Sequence, residues 1–333
     1  MPNSPRPISR RLALAALAGG LAAPALAQGA LRLRHAEGEI LLPAVPRRIV
    51  TLGYRAHDAV LALGVTPIAI RHWFGDQPGG LWPWARPLVQ GAAPQLLPRE
   101  VSLESVAVLQ PDLIIGMGGG LAPEQYAALS RVAPVLMQPE GQPANGVGWA
   151  EMVESIGLAL GRRERAAELV AGLRQRFAEA RARHPGWAGR TATAAYHFGG
   201  ETGVFLPEDS RGQFLAELGF TAPEALRRLS RARGFYAPLS AEDLSPLEAD
   251  LLLWVSSSEP GPGIAALPLR RFLRAYREGR EVVAGPLLAA ALSFGSVLSL
   301  PYALEALEGE LVLALDGDPA TRVPSTARLG LAP

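Results

Sequence analysis

Ser102-Leu-Glu-Ser-Val-Ala-Val-Leu-Gln-Pro-Asp112-Leu-Ile-Ile115 returns 138 positions later as Ser240-Ala-Glu-Asp-Leu-Ser-Pro-Leu-Glu-Ala-Asp250-Leu-Leu-Leu253. Both stretches carry a serine, a glutamate two residues on, a leucine, and an aspartate followed by three apolar residues. A serine that can cap a helix, with an acid in the first turn, predicts a helix over residues 102–110. An aspartate leading into an apolar run predicts a buried strand over 112–116. Any helix–turn–strand unit has this general form. Four shared residues at identical spacing argue further, for two similar lobes in one chain.

The flanking sequence repeats the alternation. Residues 48–53 read as a buried strand, 56–63 as a short helix closed by Gly64, and 67–70 as a second strand. Residues 123–132 read as a helix and 134–137 as a strand. Residues 148–183 differ: they contain no proline, and Met152, Ile156, Leu160, Leu169, Leu173, Phe177 and Ala180 keep near-helical spacing. This predicts a long helix, with Gly161 as the place where it can break in two and Pro185-Gly186 as its end. Beyond it, strands at 192–198 and 251–255 and helices at 212–218 and 267–277 restore the pattern. The expected fold is α/β: two similar lobes with mostly parallel sheets, joined by one long α-helix, with a ligand cleft between them. The expected boundaries are 46–140 for the N-terminal lobe, 146–184 for the connecting helix, 190–315 for the C-terminal lobe and 316–333 for a tail.

Residues 1–27 read as an export signal. Three arginines lie in the first 11 residues, Leu12 to Ala23 is apolar, and Ala25-Leu26-Ala27 is a small-x-small cleavage site. Ser9-Arg10-Arg11-Leu12 resembles a twin-arginine signal, although Ala13 stands where a bulkier apolar residue is usual, so the general secretory route stays open. The chain of 333 residues has no cysteine and no lysine; all 32 basic residues are arginine, against 31 acids. Zero cysteines exclude disulfides, thiol chemistry and a lipid anchor through Cys. Removing the signal changes the net charge from +1 to −2. That leaves no basic field for nucleic acid. The expected location is the periplasm, as a free monomer.

Arg48-Ile-Val-Thr-Leu-Gly, then Ala-Leu-Gly64-Val-Thr-Pro-Ile-Ala-Ile, then Ser-Leu-Glu104 through Gln-Pro-Asp112-Leu-Ile-Ile resemble the periplasmic binding proteins of ferric-siderophore ABC importers. Arg280-Glu-Val-Val resembles the segment that enters the last strand of that family. Tyr54 departs from a common proline, and Asp58 from a glutamate. The resemblance implies a solute-binding protein, not an enzyme. It also implies that Glu104 and Glu242, one on each lobe, dock on an ABC permease dimer at the inner membrane. A first-turn glutamate is otherwise explained by the helix dipole.

Ligand candidates lie where strands end toward the cleft. They are Tyr54 and Arg55 after the first strand, Arg71, Trp73, Trp82 and Trp84 in a Gly/Pro-rich loop, and Arg99 before the Ser102 helix. In the second lobe they are His197, Arg233, Tyr236 and Trp254. The Trp-rich loop has two readings: an aromatic wall for an organic ligand, or a loop pinned by its own tryptophans. A ferric siderophore brings its iron already coordinated, so the protein needs aromatic surface and cationic donors rather than metal ligands, and no cofactor. Alternatives on the same fold are a cobalamin- or haem-binding protein and a metal-ion binder using His57 or His197. An exported hydrolase is a rival of another class, but no G-x-S-x-G or H-E-x-x-H occurs. A sensor or scavenger working without a permease is a further rival.

Overall fold

The computed structural model describes residues 30–142, 146–229, 234–256 and 261–331. The expected leader at 1–27 and Arg233 lie outside the described residues. A hairpin of β1 (Leu31–His35) and β2 (Gly38–Leu42) precedes the first lobe. The first sheet contains β3 (Ile49–Thr51), β4 (Ala69–Arg71), β5 (Gln95–Leu97), β6 (Leu113–Ile115) and β7 (Val135–Leu136). It is wholly parallel, in the order β5-β4-β3-β6-β7. Helices α1 (Ala56–Ala62), α2 (Leu103–Ala107) and α3 (Pro123–Leu129) supply the crossovers. Ile49, Ile70, Leu113 and Ile115 face one apolar layer, while Val50, Ala69, Leu97 and Ile114 face another. Burial on both faces explains why the central strands β3 and β6 read as mostly apolar runs.

The expected connecting helix is two helices, α4 (Trp149–Ala159) and α5 (Arg163–Arg183). Gly161 interrupts them at φ +64°, a left-handed conformation that glycine adopts without strain. A Cβ on Gly157 would lie 2.5 Å from that of Ala166, so α4 and α5 approach closely at this corner.

The second sheet contains β8 (Ala192–Phe198), β9 (Glu201–Phe205), β10 (Tyr236–Leu239), β11 (Leu251–Val255) and β12 (Glu281–Ala284). Its order, β10-β9-β8-β11-β12, matches the first sheet position for position. It is mixed, however, because β9 runs antiparallel to both neighbours. The sequence makes the difference with Gly199 and Gly200, both at positive φ, which close a two-residue hairpin where the first lobe has a helical crossover. Helices α6 (Ser210–Glu217), α7 (Glu224–Leu229), α8 (Gly261–Ala265), α9 (Arg274–Arg277), α10 (Pro286–Phe294), α11 (Ser299–Ala314) and α12 (Pro324–Arg328) complete the chain. The helix expected over 267–277 is a 3-10 turn, Arg270–Phe272, followed by α9, because buried Leu273 is extended between them.

The repeated motif acquires a physical meaning. Asp112 accepts the backbone N–H groups of Arg47 and Arg48, both at 2.8 Å, and so ties the start of β6 to the start of β3. Asp250 accepts the N–H and hydroxyl of Thr191, both at 2.8 Å, and ties the start of β11 to that of β8. The same aspartate thus fastens the same strand pair in each lobe. The Ser–Glu half diverges. Ser102 caps α2, accepting the Ser105 N–H, whereas Ser240 accepts the Glu242 N–H in a turn. That turn leads into a 3-10 segment, Ser245–Leu247, where Pro246 has no N–H to extend an α-helix.

One apolar cluster runs from the first lobe through α4, α5, α10 and α11 into the second. Phe294, at the end of α10, reaches across to the first-lobe rings of Trp73, Phe74, Trp82 and Trp84. The lobes therefore meet along a second contact besides the helical connector.

Candidate functional site

A cleft of about 230 Å³ lies between the lobes, lined by Tyr54, Arg55, Trp73, Gly118 and Val147 on one side. Glu208, Asp209, Ser210, Arg211, Gln213, Phe235 and Ser293 line the other. The first-lobe wall stands at the carboxyl ends of β3, β4 and β6, where an open parallel sheet leaves room for a ligand. Tyr54 stacks on Trp73, with ring centroids 5.4 Å apart and 18° between planes. The Arg71 guanidinium sits 4.5 Å from the Tyr54 ring centroid. Arg71 itself donates to the carbonyls of Arg99 and Gly119 and lines a neighbouring first-lobe pocket of about 330 Å³. It braces the aromatic wall rather than lining the cleft.

The second-lobe wall is built by the start of α6. Asp209 caps this helix, accepting the Arg211 N–H at 2.9 Å. Both Asp209 carboxylate oxygens also receive the Arg211 Nη1 at 3.0 Å. The Arg211 guanidinium lies 4.0 Å from the Phe205 ring centroid and donates to the Ser293 hydroxyl. One cationic group is thereby held at a fixed orientation on the cleft wall. Phe235 lies at the mouth, 43% exposed, edge-on to exposed Tyr236.

Arg55 serves both walls. Its guanidinium donates to the Phe294 carbonyl at 3.1 Å, to Gly295 at 3.3 Å, and to Val147 where the connector begins. Burial pushes its pKa below the usual arginine value, opposed by the nearby Asp209 carboxylate.

Several expected contacts lie elsewhere. Trp82 and Trp84, 6% and 9% exposed, stack on each other and meet Phe294 edge-on in the core of the lobe junction. The Gly/Pro-rich loop gains its apolar partner from α10, more than 200 residues away, which no local reading can find. Trp254 is fully buried and donates its indole N–H to Glu281 at 2.9 Å. His197 packs under Gly263 of α8 and pairs with the Thr202 hydroxyl at 2.9 Å. Arg99 and Tyr236 are exposed. His57 is buried in α1, in the other lobe from His197. Among the described residues no group of three or more His, Asp or Glu side chains is placed to hold a metal ion.

Sequence reasoning passed over Asp209, Ser210, Arg211 and Ser293. The signal for the first three was present. Asp209 stands three positions ahead of the helix expected over 212–218, close enough to mark it as an N-cap candidate, and the cap faces whatever the helix N-terminus faces. Glu104 and Glu242 are both exposed, on α2 and on the Ser240 turn respectively.

The periplasmic binding protein family profile matches residues 49–285. The probable siderophore-binding lipoprotein YfiY of Bacillus subtilis is 27% identical over 231 residues, covering 67% of each chain. The ferric enterobactin-binding periplasmic protein FepB of Escherichia coli is 29% identical over 217 residues, covering 62% of this chain and 66% of that one. The crystal structure of a periplasmic solute-binding protein from Mycobacterium smegmatis superposes with a TM-score of 0.76 at 31% identity, covering 86% of this chain and 99% of that one.

Proposed function

The chain belongs to the periplasmic binding protein family, whose members bind solutes without catalysis, and we propose that it captures a ferric siderophore in the periplasm and delivers it to an ABC permease. The observation that carries this reading is the composition of the cleft. A stacked Tyr54–Trp73 wall faces the guanidinium of Arg211, with Arg55 between the lobes. Rings offer apolar surface to an organic chelator, and fixed guanidiniums donate to the anionic oxygens that wrap its iron. The siderophore names of the two curated relatives support the same reading.

Trp73 is half-buried in the cleft wall, whereas Trp82, Trp84, Trp149, Trp187 and Trp254 are buried. Intrinsic fluorescence therefore reports on the site. Titration with ferrioxamine B, ferrichrome, ferric enterobactin, ferric citrate, haem and cobalamin is expected to quench it for at least one of the first four, and Trp73→Phe to remove most of the signal. Arg211→Ala weakens binding about tenfold or more, the usual cost of losing a charged hydrogen-bond partner. A response confined to haem or cobalamin, or no response, would overturn the ligand assignment.

We assign the docking role to Glu104 and Glu242. Exposed rim charges of this kind set register and encounter rate on a partner more than they add affinity. Replacing both by alanine is expected to abolish uptake of the ferric complex by cells while the fluorescence titration stays unchanged. Loss of binding in that variant would remove the docking role.

A further inference from the structure

Two residues three positions apart, Arg55 directly before α1 and Asp58 in its first turn, hold the end of α10 in the other lobe. Arg55 donates to the Phe294 and Gly295 carbonyls, which the helix itself leaves without partners. Asp58 is fully buried, and its Oδ2 accepts both the Trp84 indole N–H at 2.8 Å and the Ser296 hydroxyl. Ser296 in turn accepts the N–H of Ser299 at the start of α11, and the Ser299 hydroxyl donates back to the Ala291 carbonyl in α10. The α10–α11 corner is thus tied to the first lobe at two points through directional bonds. The apolar contact around Phe294 is non-directional and tolerates sliding.

We propose that Asp58, with Arg55, forms a clasp that sets the resting separation of the lobes, and that Asp58 is a positioning residue for the cleft it does not touch. The clasp depends on an acceptor oxygen rather than on charge, because both donors converge on Oδ2. Asp58 Oδ1 has no hydrogen-bond partner; its nearest cation-forming neighbour is the His57 Nε2, 3.5 Å away.

The chain has no cysteine, so single cysteines at exposed Val108 just past α2 and exposed Phe272 in the second lobe accept nitroxide labels uniquely. Electron–electron resonance distances between them are read on the ligand-free, full-length mature protein at pH 7.5. They therefore do not depend on which ligand binds. Unmodified protein and Asp58→Asn should share one narrow distribution. Asp58→Leu and Ser296→Ala should shift and broaden it by several ångström, and Ser296→Thr should restore it. Should Asp58→Leu fail to fold, the Ser296 pair decides. An unchanged distribution in folded Ser296→Ala would overturn the clasp. A change in Asp58→Asn as large as in Asp58→Leu would overturn its basis in an acceptor oxygen.

Discussion

Replacing Glu281 by alanine is expected to lower stability by about 3–5 kcal/mol, the usual cost of stranding one half of a buried ion pair. Glu281 in β12 and Arg270 are 3% and 5% exposed. Their bonds are paired, Nε to Oε1 at 3.0 Å and Nη2 to Oε2 at 2.6 Å. Glu281 Oε1 also accepts the Trp254 indole N–H, and Arg270 reaches the Leu331 carbonyl in the C-terminal segment. The variant would therefore leave a buried cation, an orphaned indole and a loosened tail. Urea unfolding followed by far-ultraviolet circular dichroism measures this. Glu281→Gln keeps an acceptor for Trp254 and should lose less than alanine does. Replacing both ends, Arg270→Met with Glu281→Leu, should recover much of the loss, since the desolvation cost of the pair disappears with it. A loss below about 1 kcal/mol in Glu281→Ala would show that water or relaxation satisfies Arg270.

His57→Gln and Asp58→Asn are expected to tilt the pH dependence of stability in opposite directions. Burial raises the Asp58 carboxyl to about 7, from an ordinary 3.8. Between those values the folded chain holds a proton that the unfolded chain has released. The Asp58 contribution to stability is thus complete below about pH 4 and is lost as pH rises through about 7. Burial also lowers His57 to about 4, from 6.5. Here the unfolded chain holds the extra proton, so the contribution is complete above 6.5 and is lost as pH falls through about 4. The two slopes oppose each other across the overlapping window, and the pair together is nearly flat. Without His57, stability relative to unmodified protein should fall between pH 4 and 6.5; without the Asp58 charge it should rise, each by about 2–4 kcal/mol. Using differences from unmodified protein cancels the other titrating groups. Two variants that track the unmodified curve in parallel would show that neither group titrates with the fold.

Most strands of the first sheet were legible because parallel strands buried on both faces are dominated by apolar residues, as at 67–70, 113–116 and 49–52, where Thr51 is the one polar residue. Strands β9 and β10 were not, since Gly203 and Pro238 interrupt any apolar pattern and their pairing comes from the Gly199–Gly200 turn. At the cleft, Tyr54, Arg55 and Trp73 were legible from their positions just past strand ends. Arg211 was not, because its orientation comes from Asp209, Phe205 and Ser293 acting together across three elements. The all-arginine composition compounds this: with no lysine for contrast, residue type alone does not mark which of the guanidiniums faces a ligand.

By itself the sequence determined two α/β lobes and the helical stretch between them, because strand burial, helix capping and a glycine break are local matters of periodicity and backbone freedom. The repeated aspartates belong with these: each fastens its own lobe, so its place in the motif was legible even where its partner was not. Only the tertiary structure decided which aromatics face the cleft. Trp73 and Trp82 differ by nine positions in one loop, and Phe294, arriving from the far end of the chain, packs against both; Trp82 is closed off by stacking on Trp84, whereas Trp73 stacks on Tyr54 at the wall. Which side chain is buried depends on what packs against it, and that partner is fixed by the fold as a whole.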